Sequence, residues 1–422
     1  MIEKLLHTPD GVRDIYGREC EKKLFLENKI QKVFKSFGFK EIQTPTFEFF
    51  DIFNKERGTI ASREMYKFFD RDGNTLVLRP DITPSIARCV AKYYREEELP
   101  IRLCYTLNTF INHNSYQGKL KEITQLGAEF INDNTVEADG EMIALTITCL
   151  LEAGLEEFQV EIGQSDFFQG LVEEAEFEEA QVERLRILIE NKNLFGVKDF
   201  ISNTDISEDL KEVFYKLPNL FGDIKSVRDA KTMTKNQRAL KAIERLEALY
   251  QVLDEYGYRD YITFDLGMLS KYNYYTGIIF RAYTYGTGDT IATGGRYDNL
   301  VKQFGKDAKA MGVAIVINQL MAALSRRNIE INIEENNTLI LYERQFRSFA
   351  IHLATHFRKD GLNIELLLKD HNYTMNQYKE YGKSRGIGGI LYLKEENLIK
   401  VIDIQKDTVV DKKIEELVLF EP

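Results

Sequence analysis

The segment ITQLGAEFI, residues 123–131, contains two polar side chains that are able to bind a ligand and are spaced as on one face of a β-strand. Gln125 and Glu129 are four positions apart, so in an extended strand both side chains point to the same face. Their neighbours Leu126 and Phe130 are apolar, which favours a pocket wall for that face. The alternative is the exposed polar face of an antiparallel sheet.

Two further clusters combine polar or aromatic groups with turn-forming residues. LRPDITPSIAR places Asp81 and Thr83 between an apolar strand and the start of a helix, where they bind a ligand or simply cap the helix. YNYYTG and GGRYD place Tyr274, Tyr275 and Tyr297 beside glycines. Tyrosines in such positions form either the wall of a ligand site or part of the core.

The sequence gives little support for a metal site or for a catalytic nucleophile. His352 and His356 lie one helical turn apart, but Leu353 occupies the position of the glutamate in a zinc-hydrolase helix. The four cysteines show neither CxxC pairing nor metal-ligand spacing. We therefore predict no metal site and no cofactor.

Composition limits the remaining classes of function. The chain has 422 residues, 44% of them hydrophobic, and a formal net charge of −11 with a pI near 5.3. An acidic chain of this kind offers no overall attraction to nucleic acid or to an anionic membrane. The sequence has no apolar run of the ~18 residues that a membrane helix needs, and the start MIEKLLHTPDG lacks the pattern of a signal peptide. These features predict a cytoplasmic protein.

The elements that position these residues follow an α+β order. Apolar residues at helical spacing predict a helix over 19–37, ended by Gly38. A hairpin is predicted around Asp72-Gly73, and a helix near Thr83 with Pro84 in its first turn. Residues 101–132 form a second hairpin-like pair, followed by a helix and the strand FQVEIG. The pattern indicates antiparallel strands with helices between them.

The rest of the chain predicts an insertion and a second domain. Residues 167–258 are charged and helical in pattern, and strands resume at YITFDLGML. AIVINQLMAALSRR reads as a helix, and a polar linker is predicted near 327–337. The core domain then spans 1–326, and residues 338–422 alternate as β-α-β-α-β in a small C-terminal α/β domain.

Seven segments carry, in this order, a resemblance to the histidyl-tRNA synthetases. They are TPDGVRDIYG, KEIQTPTFE, LRPDIT, QLGAEF, YYTGIIF, GGRYDNLVKQFG and the glycine-led helix MGVAIVINQL. The resemblance implies a class II aminoacyl-tRNA synthetase-like fold with an anticodon-binding-like C-terminal domain. It also implies a histidine pocket lined by Asp81, Thr83, Gln125, Glu129, Tyr275 and Tyr297. Asp81 stands where the family usually has glutamate.

Three arginines of the synthetase pattern are replaced. The motif 2 arginine falls on Ile111, the motif 3 arginine on Gln319 and the histidine-specific arginine on Ser270, and His113 replaces a glutamate. Synthetases need these guanidinium groups because amino-acid activation builds negative charge on the α-phosphate of ATP. Lys119 and Lys121 stand where the family uses arginines in this loop, but they cannot replace a guanidinium group at a different position. The resemblance therefore implies a synthetase-like protein without adenylation activity.

A histidine pocket without ATP-binding arginines resembles the synthetase-like regulatory subunits of ATP phosphoribosyltransferase. That resemblance implies a non-catalytic partner of a short-form catalytic subunit, with L-histidine as effector. Pro45, in the class II dimer motif, implies a homodimer within a hetero-oligomer. The alternative is a degenerate histidyl-tRNA synthetase-like protein that binds tRNA or histidine; a ligase of other chemistry would need the same arginines. Residues 331–422 hold 13 Lys and Arg against 15 Asp and Glu, so nucleic-acid binding is not favoured.

Overall fold

A computed structural model describes residues 6–53, 60–113, 119–269, 275–286, 288–333, 337–395 and 398–413. The chain divides into two compact units. The first comprises Met1–Asp14 and Lys23–Ile331, and the second comprises Ile15–Lys22 and Asn332–Pro422. Among the described residues, every helix is too short or too polar to cross a lipid bilayer.

The strands of the first unit form two sheets. In chain order they are β1 (Lys40–Glu41), β2 (Phe47–Phe49), β3 (Lys67–Phe69), β4 (Thr75–Leu78), β5 (Ile101–Phe110), β6 (Glu122–Ile131), β7 (Gln159–Gln164), β8 (Phe221–Gly222), β9 (Ile262–Asp265), β10 (Ile278–Tyr283), β11 (Ala292–Arg296) and β12 (Ala310–Val316). Over the described residues, the larger sheet has the order β1-β5-β6-β12-β11-β10-β7-β9-β8, and the smaller has the order β2-β4-β3. The larger sheet is antiparallel except for the pairs β1–β5 and β7–β9.

The helices are α1 (Gly17–Ser36), α2 (Thr83–Tyr93), α3 (Val136–Glu152), α4 (Ser165–Glu174), α5 (Glu179–Glu190), α6 (Leu194–Ser202), α7 (Glu208–Lys216), α8 (Ile224–Lys231), α9 (Gln237–Glu255) and α10 (Ile317–Arg326). Helices α4 to α9 correspond to the predicted helical insertion. The insertion also supplies β8, which pairs with β9 at the edge of the larger sheet.

The two faces of the larger sheet have different partners because side chains alternate along each strand. On β6, Leu126 and Phe130 point into the main hydrophobic core, which also contains residues of α3 and α9. Ile131 joins a second core cluster with residues of α2 and β5. Gln125 and Glu129 have the same parity as Ile131, so they share its face of the sheet.

The helix predicted over MGVAIVINQL, residues 311–320, is wrong for residues 311–316, which belong to β12 (Ala310–Val316) in the centre of the sheet. β12 pairs with β6 on one side and β11 on the other. A short apolar run is compatible with a buried helix or a buried strand, and periodicity alone does not separate them. Pairing with the distant strand β6 and with the preceding strand β11 decides the outcome here, and the helix α10 begins only at Ile317.

The small sheet carries an exposed aromatic face. Phe47 is 52% exposed, Phe49 55% and Phe68 37%. These three side chains share one face, because Phe49 and Phe68 both pair with Leu76 of β4. Phe47 and Phe68 contact each other edge to face at 5.7 Å between ring centroids. A contiguous exposed apolar surface of this kind is uncommon on a monomeric protein.

The second unit contains a five-stranded sheet over its described residues. Its elements are β13 (Asn337–Tyr342), α11 (Arg347–Lys359), β14 (Asn363–Leu368), α12 (Met375–Ser384), β15 (Ile387–Glu395), β16 (Leu398–Asp403) and β17 (Thr408–Lys413). The strand order is β14-β13-β15-β16-β17, with parallel pairs around β13 and antiparallel pairs after β15. The first five elements match the predicted β-α-β-α-β order, whereas the hairpin β16–β17 was not predicted.

Candidate ligand-binding site

A small polar pocket of about 80 Å³ lies on the α2 face of the larger sheet. Such a volume holds several water molecules or one compact ligand. Its lining residues are Ile60, Pro80, Asp81, Thr83, Ile111, Gln125, Tyr275, Thr293, Tyr297, Gly312, Val313 and Ala314. Five of the six residues predicted to bind histidine thus line one pocket. The sixth, Glu129, is bonded to two of them.

Glu129 is a fully buried carboxylate held by two hydroxyl groups. The Oγ1 of Thr83 donates to Oε1 of Glu129 at 2.9 Å, and the hydroxyl of Tyr297 donates to Oε2 at 2.5 Å. The three residues come from α2, β6 and the turn after β11. Thr83 is the first helical residue and its hydroxyl is used here, so the predicted role as N-cap is wrong: the N-cap position is Ile82.

Burial controls the titration of this group. Loss of hydration raises the pKa of Glu129 from 4.5 to about 8, the two hydroxyl donors oppose the rise, and the nearby carboxylate of Asp81 adds to it. Burial also raises the pKa of the Tyr105 and Tyr297 hydroxyls well above the usual value, and the charge of Glu129 contributes in both cases. The carboxyl of Glu129 is therefore mainly protonated at neutral pH in this environment.

Gln125 presents an unused acceptor to the pocket. Its Oε1 atom is buried and has no hydrogen-bond partner among the residues that the structure describes. A buried acceptor without a partner carries a cost of about 1–3 kcal/mol, which a ligand N–H group relieves. Asp81 adds a second set of acceptor atoms, and its Oδ1 accepts from the backbone N–H of Ile82 at 2.7 Å.

Glycines on the sheet make room for these side chains. Gly312 on β12 is the pairing partner of Glu129 on β6, and a Cβ atom there would lie 1.8 Å from Oε2 of Glu129. A Cβ atom on Gly295 would lie 2.7 Å from the ring of Tyr275. The pocket therefore depends on glycines on β11 and β12 as well as on the polar residues around it.

Two buried arginines that the sequence analysis did not single out fix the pocket walls. Arg79 donates to the carbonyl oxygens of Thr44, Pro45 and Asn108, which anchors the loop that carries Asp81. Arg296 donates from Nε and Nη2 to the same oxygen, Oδ1, of the buried Asp139 of α3, at 2.9 and 2.6 Å. That pair anchors the end of β11 immediately before Tyr297. In each case the sequence signal was an arginine at a strand end: Arg79 directly follows β4 and Arg296 is the last residue of β11.

The residues that stand at the arginine positions of the synthetase pattern lie in different parts of the structure. Ile111 lines the pocket, so an apolar side chain faces the ligand space where the synthetase pattern has a guanidinium. Gln319 lies on α10 and donates to Asp289 at 3.4 Å. Ser270 and Tyr274 lie outside the described residues. His113 lies two residues after Ile111, and its backbone N–H donates to the carbonyl oxygen of Ile111 at 3.0 Å.

Comparison with known proteins identifies the relatives of the chain. The family model described as Histidyl-tRNA synthetase matches residues 11–320. The ATP phosphoribosyltransferase regulatory subunit of Acetivibrio thermocellus is 40% identical over 417 residues, which cover 99% of this chain and 99% of that relative. The chain belongs to the ATP phosphoribosyltransferase regulatory subunit family. This family membership confirms the resemblance drawn from the motifs.

Solved structures show the same relationship. A structure from Bacillus halodurans described as an ATP phosphoribosyltransferase regulatory subunit/histidyl-tRNA synthetase is 31% identical, with a TM-score of 0.83 over 93% of this chain and 99% of that chain. The histidyl-tRNA synthetase of Nostoc is only 18% identical but has a TM-score of 0.82, over 97% of both chains. The predicted α+β, class II synthetase-like fold of this regulatory-subunit family member is confirmed.

Proposed function

We propose that this regulatory-subunit family member supports and regulates a separate short-form catalytic subunit of ATP phosphoribosyltransferase, in the first step of histidine biosynthesis. We further propose that it catalyses no reaction itself. Likeness over nearly the full length to relatives of that name supports the regulatory role. The observation that carries the second part is the position of Ile111 in the pocket lining. The pocket offers acceptors for a cationic ligand but an apolar wall where activation of ATP needs a permanent positive charge.

The expected size of the rate loss caused by these arginine replacements supports a loss of adenylation activity. Removing one preorganised group that stabilises transition-state charge typically costs about 2.7–4 kcal/mol, or 10²–10³ in rate. The chain has Ile111, Gln319 and Ser270 at three such positions. Histidine-dependent exchange of pyrophosphate into ATP is the direct measurement. We expect no exchange above background, and clear exchange would identify an unusual synthetase instead.

We propose L-histidine as the effector and the pocket as its site. The carboxylate of Asp81 and the Oε1 of Gln125 suit an ammonium group, while Glu129, Tyr275 and Tyr297 suit the imidazole N–H groups. Histidine that binds here inhibits the complex only if it changes the equilibrium of the assembled protein. Such coupling between sites typically amounts to about 1–3 kcal/mol.

The decisive experiment assays a short catalytic subunit from the same source with and without this chain, across a histidine titration. We expect higher activity with the chain and inhibition by histidine only in its presence. Thr83→Val removes one hydroxyl donor to Glu129 and should raise the histidine concentration needed for inhibition by about tenfold. Thr232→Val, an exposed position on the insertion, is the matched control and should leave inhibition unchanged.

Equal activity and equal histidine sensitivity in both assays would contradict the regulatory role. The match to the Histidyl-tRNA synthetase model over residues 11–320 would then favour a tRNA- or histidine-binding function. Filter binding to tRNA at several salt concentrations measures that alternative.

We also propose a homodimer as the building block of the complex. Phe47 lies two residues after Pro45 in the segment that resembles the class II dimer motif, and Phe49 directly follows that segment. Covering Phe47, Phe49 and Phe68 in a two-fold interface would remove an apolar surface that is costly to leave in water.

A further inference from the structure

A buried carboxylate joins the helical insertion to the larger sheet. Asp139, in the first turn of α3, is fully buried and lies between two guanidinium groups. Arg296, at the end of β11, donates to its Oδ1 atom, whereas Arg245 donates from Nε to its Oδ2 atom at 2.7 Å. Because Arg245 belongs to α9, the two oxygens of one carboxylate connect two distant parts of the first unit.

The same two arginines hold the loop between β6 and α3. Arg245 donates from Nη2 to the carbonyl oxygens of Asn134 and Thr135 at 3.1 and 3.2 Å. Arg296 donates from Nη1 to the carbonyl oxygen of Asp133 at 2.8 Å. A planar guanidinium group with five N–H donors makes several such bonds at once, and an ammonium group does not reproduce this geometry.

Close helix packing fixes α9 beside α3. A Cβ atom on Gly140 of α3 would lie 2.3 Å from Cγ1 of Val252 on α9. Near the start of α9, a Cβ atom on Gly170 of α4 would lie 2.9 Å from the backbone nitrogen of Ala239. At such packing density a helix does not shift without its neighbours, so α9 holds the Arg245 side chain at a defined place.

The contacts of Arg296 continue to the carboxyl group of Glu129. The residue after Arg296 is Tyr297, whose hydroxyl donates to Oε2 of Glu129 at 2.5 Å. The backbone N–H of Tyr297 donates to the carbonyl oxygen of Ala310 at 2.8 Å. The side chains of Arg296 and Tyr297 are both buried, so a change in the anchor of Arg296 is passed to the neighbouring ring.

The charges of this cluster show what the loss of Arg245 would do. Burial raises the pKa of Asp139, and the two guanidinium groups oppose the rise. Without Arg245, the pair of Asp139 and Arg296 keeps its charge balance, but the Oδ2 atom loses this donor. A buried acceptor left without a donor is costly, so the carboxylate and Arg296 must rearrange around the donors that remain.

We propose that Arg245 is a positioning residue for the candidate ligand site: through Asp139 and Arg296 it holds Tyr297 against Glu129. Arg245 lies outside the described lining of the pocket, so it acts on the site only through these residues. The helical insertion is then part of the support of the pocket. The consequence for histidine binding rests on the proposed histidine site.

A double-mutant cycle in urea unfolding of the full chain tests the positioning role without any ligand. Tyr297→Phe removes the hydroxyl bond to Glu129, and Arg245→Met removes the guanidinium group but keeps an unbranched stem. If Arg245 holds Tyr297 in place, the two effects overlap. Tyr297→Phe should then change the unfolding equilibrium constant at least about fivefold less in Arg245→Met than in the unmodified chain.

Arg238→Met is the matched control for this cycle. Arg238 lies about two turns earlier on α9, and its ion pairs with Asp166 and Glu173 join α9 to α4 at the surface. Its effect should combine additively with Tyr297→Phe, within about twofold in the equilibrium constant. Additivity in the Arg245→Met cycle as well would overturn the inference, because Arg245 would then only stabilise the fold. Equal coupling in both cycles would also overturn it, because that result indicates a general loosening of α9.

Arg245→Lys keeps the cycle decisive if Arg245→Met does not fold. Its ammonium group keeps the charge and can donate to Oδ2 of Asp139, but it lacks the fork that also reaches the loop carbonyls. We expect coupling to Tyr297→Phe of more than about twofold. Additivity of Arg245→Lys with Tyr297→Phe would overturn the inference.

Calorimetric titration with L-histidine tests the consequence for binding. We expect Arg245→Met to weaken the affinity at least about fivefold, Arg245→Lys to weaken it less, and Arg238→Met to leave it within about twofold. An Arg245→Met affinity equal to that of the unmodified chain would overturn the inference. If the unmodified chain does not bind L-histidine, the proposed histidine site fails, while the unfolding cycle still decides the role of Arg245. The assay with the catalytic subunit decides the regulatory role separately.

Discussion

At the scale of single residues, the pocket is governed by a carboxyl group that is held away from water. Glu129 is 1% exposed, and the groups that face it are Thr83, Tyr297, Tyr105 and Asp81. Each of the four is neutral or negative. Because none of them supplies a positive charge, the ionised form of Glu129 is disfavoured until a cationic ligand arrives.

This environment predicts a pH-dependent stability. The pKa of Glu129 is about 8 in the folded chain against 4.5 for the free side chain. Between these values the folded state holds a proton that the unfolded state has lost, so the contribution of Glu129 is full below pH 4.5 and falls as the pH rises through about 8. The slope is at most about 1.4 kcal/mol per pH unit. Urea unfolding from pH 5 to 8.5 should show Glu129→Gln gaining stability relative to the unmodified chain as the pH rises.

The exposed Glu174 supplies the control for that series. Glu174→Gln should follow the pH dependence of the unmodified chain. A Glu129→Gln difference that stays constant from pH 5 to 8.5 would show that the carboxyl has an ordinary pKa in the folded protein.

Sequence patterns located the residues of the pocket but not their bonds. The spacing of Gln125 and Glu129 sufficed to place them on one face. The bond from Thr83 to Glu129 joins residues 46 positions apart and depends on how α2 packs on the sheet, so local capping rules assigned the Thr83 hydroxyl wrongly. The anchoring role of Arg79 was not predicted for the same reason, because its hydrogen-bond acceptors are backbone carbonyl oxygens of residues distant in the sequence.

At the scale of elements, the pairing of β6 with β12 forms the floor of the pocket. Gly312 lies opposite Glu129 in this pair, and the strands are antiparallel over seven residue pairs. Helix and strand periodicities identified β6, β7 and most helices correctly. They failed for β12 because its apolar run is buried on both faces, and this removes the alternation that distinguishes a strand.

Gly312→Ala tests the importance of the close approach. The new methyl group would lie 1.8 Å from Oε2 of Glu129, so the carboxylate must leave the hydroxyls of Thr83 and Tyr297. Overpacking of this kind costs about 1–3 kcal/mol. We expect lower stability in urea unfolding and weakened histidine binding. Gly288→Ala, where a Cβ atom meets nothing within 4 Å, should be neutral in both measurements. Equal behaviour of the two variants would show that the sheet adjusts freely.

At the scale of the whole molecule, the exposed aromatic face predicts self-association. Phe49→Glu places a charge on the small sheet and should shift the protein from dimer to monomer in sedimentation velocity, because burying an unpaired carboxylate in an interface is costly. Phe195→Glu is the matched control, since Phe195 is 83% exposed on the insertion. A dimer that persists in Phe49→Glu, or a monomer in the unmodified chain, would contradict the assignment.

The division into two units predicts separable roles. The pocket and the two hydrophobic clusters beside it lie within the first unit. We expect a chain of residues 1–331 to unfold cooperatively and to bind histidine with unchanged affinity in calorimetry. Loss of cooperative unfolding in this chain would show that the two units form one folding unit. The effect of the 1–331 chain on the activity of the catalytic subunit would show whether the first unit alone supports that activity.

The long separation between β6 and β12 has a consequence for synthesis on the ribosome. β6 ends at Ile131 and β12 begins at Ala310. At about 5–20 residues per second, the second edge of β6 waits on the order of 10–40 s for its partner. During that interval the nascent chain exposes an unpaired strand, a known starting point for aggregation. The pocket is complete only after β12 has emerged from the ribosome. An effector can therefore bind there only when all strands of the first unit have been translated.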